Sequence, residues 1–326
     1  MFFLLNHIEG YDLLKPRANY LTQPNLFLKN SLNNDWQTGI ESVNDASYQA
    51  ILPIPQFYIG SEMYERNGID SVYKTFILSF HTGLPILSSM MSRTSWSETR
   101  NGIQRINPPL NSKRDQYLQW TSLLVLKANQ PLKPSEELIL QKASPLFESK
   151  TMQLSVLSYS SFFANTKTNE VTINKCRYQE QNIYFVADSN EVPFTTTKNS
   201  DYGMLVLIDS NRYQPGRYVL SFDYFFEGLK FENIDCAVVI ERKKGNSQEW
   251  IEQQPISQFT AYYKSSFMYD QFVTIEPDCS YKLFLKGNND CTYKVKNVLL
   301  RPATTQVIVN CNKNAYLLRN GFRWAN

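Results

Sequence analysis

From residue 74 onward the chain breaks into short runs of β-branched and aromatic residues separated by turn-forming clusters. Thr75-Phe76-Ile77-Leu78-Ser79-Phe80, Leu123-Leu124-Val125-Leu126, Met204-Leu205-Val206-Leu207-Ile208 and Tyr218-Val219-Leu220-Ser221-Phe222 have the length and residue types of strands. The second half continues the pattern at about 152–158, 182–187, 203–209, 217–226, 234–241, 257–264, 270–276, 280–286 and 292–299. Turn chemistry separates these runs at Asp209-Ser210-Asn211, Gln214-Pro215-Gly216, Lys244-Gly245-Asn246, Glu276-Pro277-Asp278 and Gly287-Asn288-Asn289-Asp290. Many short strands at even spacing, without intervening helical periods, predict an all-β chain and argue against a parallel α/β enzyme.

The first half carries a fainter version of the same layout. Tyr73–Phe80 matches Gly216–Tyr224 in its order of turn, exposed base and alternating apolar residues. Leu132-Lys133-Pro134-Ser135-Glu136-Glu137-Leu138-Ile139-Leu140 matches the Pro277 turn and the apolar run to Leu285, and the two motifs lie about sixty residues apart in each half. The chain has 326 residues, enough for two domains of ordinary size. The expectation is two tandem antiparallel jelly-roll β-sandwich domains at 21–144 and 145–302, with an N-terminal arm at 1–20 and a C-terminal docking tail at 303–326. The tail's large apolar residues are costly to leave in water, which predicts docking on its own domain or on another subunit.

Charge narrows the functional classes. The 33 basic and 30 acidic side chains give a formal charge of +3 without a long run of one sign. A nucleic-acid stripe needs clustered bases, and the densest group, Arg242-Lys243-Lys244, reads as a solvated hairpin turn, so no nucleic-acid partner is expected. The apolar start Met1-Phe2-Phe3-Leu4-Leu5 is broken by Asn6, His7 and Glu9 and lacks an export pattern; no segment approaches the ~18 apolar residues of a span. Synthesis in the cytoplasm and no membrane insertion are expected. The five cysteines, Cys176, Cys236, Cys279, Cys291 and Cys311, read as free thiols, or with Cys279 and Cys291 joined across neighbouring strands.

Catalytic patterns are sparse. The only histidines are His7, in the arm, and His81, at the end of an apolar run. No His-Glu-x-x-His, Cys-x-x-Cys, phosphate loop or dinucleotide fingerprint occurs, so neither a metal nor another cofactor is expected. Glycoside chemistry needs only two suitably spaced acids, for which Glu62 with Glu65 and Asp223 with Glu227 are the proposable pairs, yet acids are common on any solvated β surface. The chain reads as non-enzymatic.

Aromatic content points instead to binding. There are five tryptophans, 20 tyrosines and 20 phenylalanines, and aromatic faces on a sheet stack against sugar rings while polar neighbours pair with hydroxyls. Trp96 and Trp250, in polar surroundings, are the leading glycan candidates, with Tyr263 and Tyr269 beside them. Packing at the core or rim of a sandwich is the competing reading for the same rings.

The second half resembles the jelly-roll carbohydrate-binding modules that recur in bacterial glycanases and in bacteriophage virion proteins. The resemblance rests on Gly216-Arg217-Tyr218-Val219-Leu220-Ser221-Phe222-Asp223-Tyr224, on Trp250, and on the closing runs Tyr281–Leu285 and Val295–Leu300. It spans about 150–300 and, more weakly, 22–142. Two such domains without a catalytic partner resemble a virion head, collar or tail decoration protein. That resemblance implies a virion location, contacts with other virion proteins, a homo-oligomer, and assembly through the terminal segments, with Phe2, Phe3, Leu317, Phe322 and Trp324 as contact residues. A surface glycan is a further candidate partner, and a cellular glycan-binding or adhesion module is the alternative.

Overall fold

A computed structural model of the protein describes residues 25–43, 48–61, 69–95, 98–99, 102–103, 119–164, 169–188, 202–209, 211–227, 237–255, 261–263, 266–286, 292–310 and 317–324. The N-terminal region is an α/β layer structure. Its elements are α1 (Asn34–Glu41), β1 (Ile51–Ile54), β2 (Tyr58–Ser61), α2 (Ile69–Thr82), β3 (Ser89–Thr94), β4 (Ser122–Lys127), α3 (Pro134–Lys142), β5 (Ser144–Glu148), β6 (Gln153–Ser158) and α4 (Tyr159–Phe163). One sheet has the order β1-β4-β6-β5, with β1 parallel to β4 and the other pairs antiparallel; β2 and β3 form a separate parallel pair. Ile51–Ile54 and Leu123–Leu126 are buried at every position, as strands covered on both faces must be. Trp36 of α1 and Ile77 and Leu78 of α2 pack with Ile51, Leu124, Leu126 and Leu154. Ile139 of α3 and Phe162 of α4 pack with Leu52, Ile54, Leu123, Val125 and Leu157.

The all-β expectation fails here, and the two motifs that suggested a repeat are where it fails. Residues 74–80 lie inside α2, where Thr75 and Thr82 donate their hydroxyls to the Ser71 and Leu78 carbonyls one turn back, at 2.6 and 2.7 Å. Lys74 pairs with Asp70 at 2.8 Å, and Gly83, at φ +73°, ends the helix by donating its N–H to Ser79. Pro134 opens α3 rather than a turn before a strand. It takes a first-turn position, and Glu136 accepts from the Lys133 N–H at 2.9 Å. The corresponding stretches of the second half are strands, so the chain is not a tandem of jelly rolls but a mixed α/β fold of open sheets and helices.

The C-terminal region holds β7 (Asn169–Ile173), β8 (Arg177–Glu180), β9 (Ile183–Asp188), β10 (Tyr202–Ile208), β11 (Gly216–Glu227), β12 (Ala237–Lys244), β13 (Ser247–Pro255), β14 (Ala261–Tyr263), β15 (Ser266–Ile275), β16 (Cys279–Lys286), β17 (Thr292–Pro302), β18 (Thr305–Val309), β19 (Leu317–Arg319) and β20 (Phe322–Trp324). They form a four-stranded sheet β10-β16-β12-β13, a six-stranded sheet β14-β15-β11-β17-β9-β8, and a four-stranded sheet β20-β19-β18-β7. The first two share a core in which Val206, Val238, Ile240, Leu283 and Leu285 meet Leu220, Phe222, Tyr224, Tyr269, Val273 and Leu300. The third covers the other side of the six-stranded sheet, packing Val307, Val309 and Leu318 on Phe185, Ala187 and Leu299. None of these sheets closes on itself among the described residues.

The first sheet continues past residues 144/145, and a shared core and an ion pair join the two regions. Strands β5 and β6, beyond the expected boundary at 144/145, belong to the first sheet, with six register pairs between β4 and β6. Tyr58 and Ile103 enter the core of the C-terminal sheets, and Arg217 on β11 pairs with Glu137 on α3 at 2.7 Å. The cysteine reading also changes: Cys279 is buried and free, so it is not joined to Cys291, and Cys176 is disulfide-bonded. No helix is long and apolar enough to cross a membrane among the described residues.

Candidate functional site

The outer face of sheet β10-β16-β12-β13 carries the best-formed candidate surface. Burial alternates along β16: Cys279, Tyr281, Leu283 and Leu285 are fully inside, so Lys282 and Phe284 take the opposite face. Register then fixes their neighbours. Lys282 lies between Leu207 on β10 and Glu241 on β12, and Glu241 lies opposite Trp250 on β13. Phe284 lies between Met204 and Val239. A register shift between Ile240 and Glu241 places an extra residue in β13, and the exposed Ile251 stands there beside Trp250.

Trp250 is 56% exposed, and its ring lies 6.4 Å from that of Phe284 at 36°, so part of the indole is seated while the rest meets water. Leu207 is 50% and Met204 47% exposed at the other margin. Between them, Lys282 Nζ lies 3.4 Å from a carboxylate oxygen of Glu241, whose side chain is only 7% exposed. The face therefore has apolar margins and a paired donor and acceptor at its centre. Three strand spacings separate Leu207 from Trp250, about 14 Å. At the end of this sheet Arg242 clamps β12 and β13 by binding Glu249 and Glu276; its hydrogen bonds to Glu249 hold its pKa above the usual value.

The other candidates do not gather here. Tyr269 lies on β15 with 1% exposure, its ring 5.2 Å from Phe222 and its hydroxyl donating to Gln271 at 2.6 Å, so it is a core residue without a surface to offer. Tyr263 lies in β14 opposite Ser266, in the other sheet. Trp96 is outside the described residues.

Of the proposed assembly residues, Phe2 and Phe3 are also outside the described residues. Phe322 is 5% exposed against Met268 of the same chain, and Leu317 is half-buried opposite Trp324 in the β19–β20 hairpin. The hairpin turn, Asn320-Gly321, has φ +54° and +86°, and Ser221 donates to the Asn320 carbonyl at 3.4 Å. The tail thus docks on its own six-stranded sheet.

Of the two carboxylate pairs, Glu62 and Glu65 lie outside the described residues, whereas Asp223 is fully buried and accepts from Asn297 at 2.8 Å. Asp270 and Arg301 are buried nearby on the neighbouring strands. Burial lowers the Arg301 pKa to about 10 against the opposing pull of Asp270, and Arg301 donates to the Thr305 carbonyl at 2.7 Å. Its visible work is to hold the turn from β17 into β18.

No protein-family model matches the sequence, and no curated protein is similar to it at a significant level. Among solved structures, a family 16 carbohydrate-binding module is 11% identical, with a TM-score of 0.23 over 36% of this chain and 75% of its own. A family 61 module solved with β-1,4-galactotriose is 8% identical, with a TM-score of 0.19 over 37% of this chain and 83% of its own. A pentameric capsid protein from metagenomic phage sequences is 16% identical, with a TM-score of 0.16 over 31% of this chain and 64% of its own. The chain thus has a weak, low-identity structural similarity to carbohydrate-binding and phage capsid folds alike.

Proposed function

We propose that the protein is a non-catalytic glycan-binding or surface-adhesion module that presents Trp250 as its stacking platform. The carrying observation is the outward, half-seated indole on a sheet face whose centre holds the Lys282–Glu241 pair. An indole in this state offers an apolar plane to the C–H face of a sugar, while the adjacent ion pair supplies a donor and an acceptor for its hydroxyls. The disulfide at Cys176 supports work outside a reducing compartment, since such bonds persist in oxidising surroundings.

Affinity electrophoresis through gels containing soluble neutral polysaccharides tests this reading. Trp250→Ala is expected to lose retention by about tenfold. Its thermal midpoint should hardly change, because so much of the ring is already in water. Retention equal to that of the unaltered protein on every polysaccharide that slows it would remove Trp250 from the site.

A second reading, a virion structural or decoration protein, is favoured by a different observation: an exposed aromatic face on α2, of the kind an assembling protein uses. Incorporation into particles of a chain altered on that face discriminates the two.

A further inference from the structure

The exposed side of α2 is aromatic from Tyr73 to Phe80. Between Ser71 and Thr82 the exposed residues are Tyr73, Phe76 and Phe80, at 47, 38 and 62%. Their spacing of three and four puts them on one stripe, where a surface helix ordinarily carries polar groups. The stripe continues onto Phe27, 39% exposed with its ring 5.2 Å edge-on to Phe80, and onto Leu28, 53% exposed. The opposite side of the helix is occupied, since Ile77 and Leu78 are fully buried against the first sheet.

We propose that this stripe is the contact through which two copies of the chain associate, with their α2 helices antiparallel across a two-fold axis near Phe76. The proposal is independent of the glycan-binding reading and uses a different surface. Two observations select a second copy as occupant. Apolar residues three and four apart form the seam on which helices interlock. The stripe is nearly symmetric about Phe76, so an antiparallel copy places Tyr73 against Phe80 of the second copy and Phe76 against its own equivalent, as an isologous contact requires.

The available area sets the strength. Four aromatic side chains at these exposures, with Leu28, offer about 400 Å² per copy. The pair then buries about 800 Å², the range of weak, reversible interfaces. An interface of this size makes a reversible dimer rather than an obligate one.

Sedimentation velocity and light scattering on the full chain, over a concentration series, test this directly. The weight-average mass is expected to climb from 37.9 kDa toward twice that value as concentration rises. Phe80→Glu, and separately Tyr73→Glu, should weaken association at least about tenfold with unchanged melting and unchanged polysaccharide retention. Under mild oxidation, Phe76→Cys should yield a cross-linked dimer, whereas Lys29→Cys and the unaltered chain should not.

A mass fixed at 37.9 kDa throughout overturns the proposal. So does a dimer indifferent to both Glu variants and to the Phe76→Cys cross-link. Stripe-dependent binding of a monomer to phosphatidylcholine vesicles also overturns it, by assigning the face to lipid.

Discussion

Gly321 shows how closely the tail is fitted to the rest of the chain. A Cβ at that position would lie 2.3 Å from the Ser221 hydroxyl, on a backbone whose φ of +86° already disfavours a side chain. Gly321→Ala should therefore cost about 2 kcal/mol in urea unfolding. Adding Ser221→Gly should recover only the part due to the clash, separating contact from backbone preference. Lys142 supplies a pH-dependent counterpart. Burial, with Arg319 nearby, lowers its pKa from 10.5 to about 8, although its ammonium donates to the Phe162 carbonyl at 2.8 Å. The unfolded chain then holds this proton more tightly than the folded one, so stability rises as pH climbs from about 8 to 10.5 and the penalty of charging the folded side chain disappears. The pH slope of urea midpoints over this window should be shallower in Lys142→Met than in the unaltered chain; equal slopes would exclude the group. At this scale the sequence was informative where polarity contradicted burial or turn chemistry was explicit. Trp250 could be singled out from its Gln, Glu and Ile neighbours, and the Asn320-Gly321 dipeptide is a hairpin signal. Tyr269 could not be told from a surface ring, because alternation along Phe267–Gln271 does not hold: both faces of β15 are buried there, one by each neighbouring sheet.

At the scale of elements, α2 and α3 were misread for different reasons. Thr75–Phe80 has strand-like composition, and over six residues an apolar run does not reveal its period. The distinguishing signal lay in a longer window, where Ser71, Thr75, Leu78 and Thr82 turn inward together while Tyr73, Phe76 and Phe80 turn outward. For α3 the local signature was present, a proline followed two residues later by Glu136, the pattern of a helix start. It lost to a fancied match with the Pro277 turn. Glu136 also does more than cap its helix, because its second oxygen accepts the buried Gln56 N–H at 2.9 Å and ties α3 to the end of β1. Glu136→Ala leaves two enclosed N–H groups without that carboxylate and should destabilise the chain by about 2–3 kcal/mol, read from denaturant midpoints. Glu136→Gln, which keeps one acceptor oxygen, should lose less. The sheet face around Lys282 was hidden by another ambiguity. Met204–Ile208 is apolar at every position, so the sequence could not say that Leu207 and Met204 face water while Val206 and Ile208 face the core.

For the whole molecule, the inference of two copies failed because an interval of about sixty residues between apolar motifs is satisfied equally by helices and strands. What the chain builds is asymmetric, an α/β layer joined to stacked sheets that are antiparallel except where β18 runs parallel to β7, and the join is more than a linker. Tyr58, from β2, is 3% exposed within the core of the C-terminal sheets, and a Cβ on Gly102 would meet its ring at 2.6 Å. The Arg217 guanidinium lies 3.5 Å from the centre of the Phe272 ring while pairing with Glu137, so one side chain links β11, β15 and α3. A shared core and a bridging ion pair couple the unfolding of the regions they connect. Calorimetry should accordingly show one transition whose van't Hoff and calorimetric enthalpies agree, and Tyr58→Ala should lower that single midpoint without splitting it. A chain cut at 144/145 meets a sharper constraint. It severs β4 from β6, removing the partner that holds the buried run Leu123–Leu126 on one side, together with Leu154, Leu157 and Phe162 from the two faces of the layer. The fragment 21–144 should show no cooperative melt, because neither face of its sheet is then complete. A cooperative transition in that isolated fragment would show that 21–144 folds without β6.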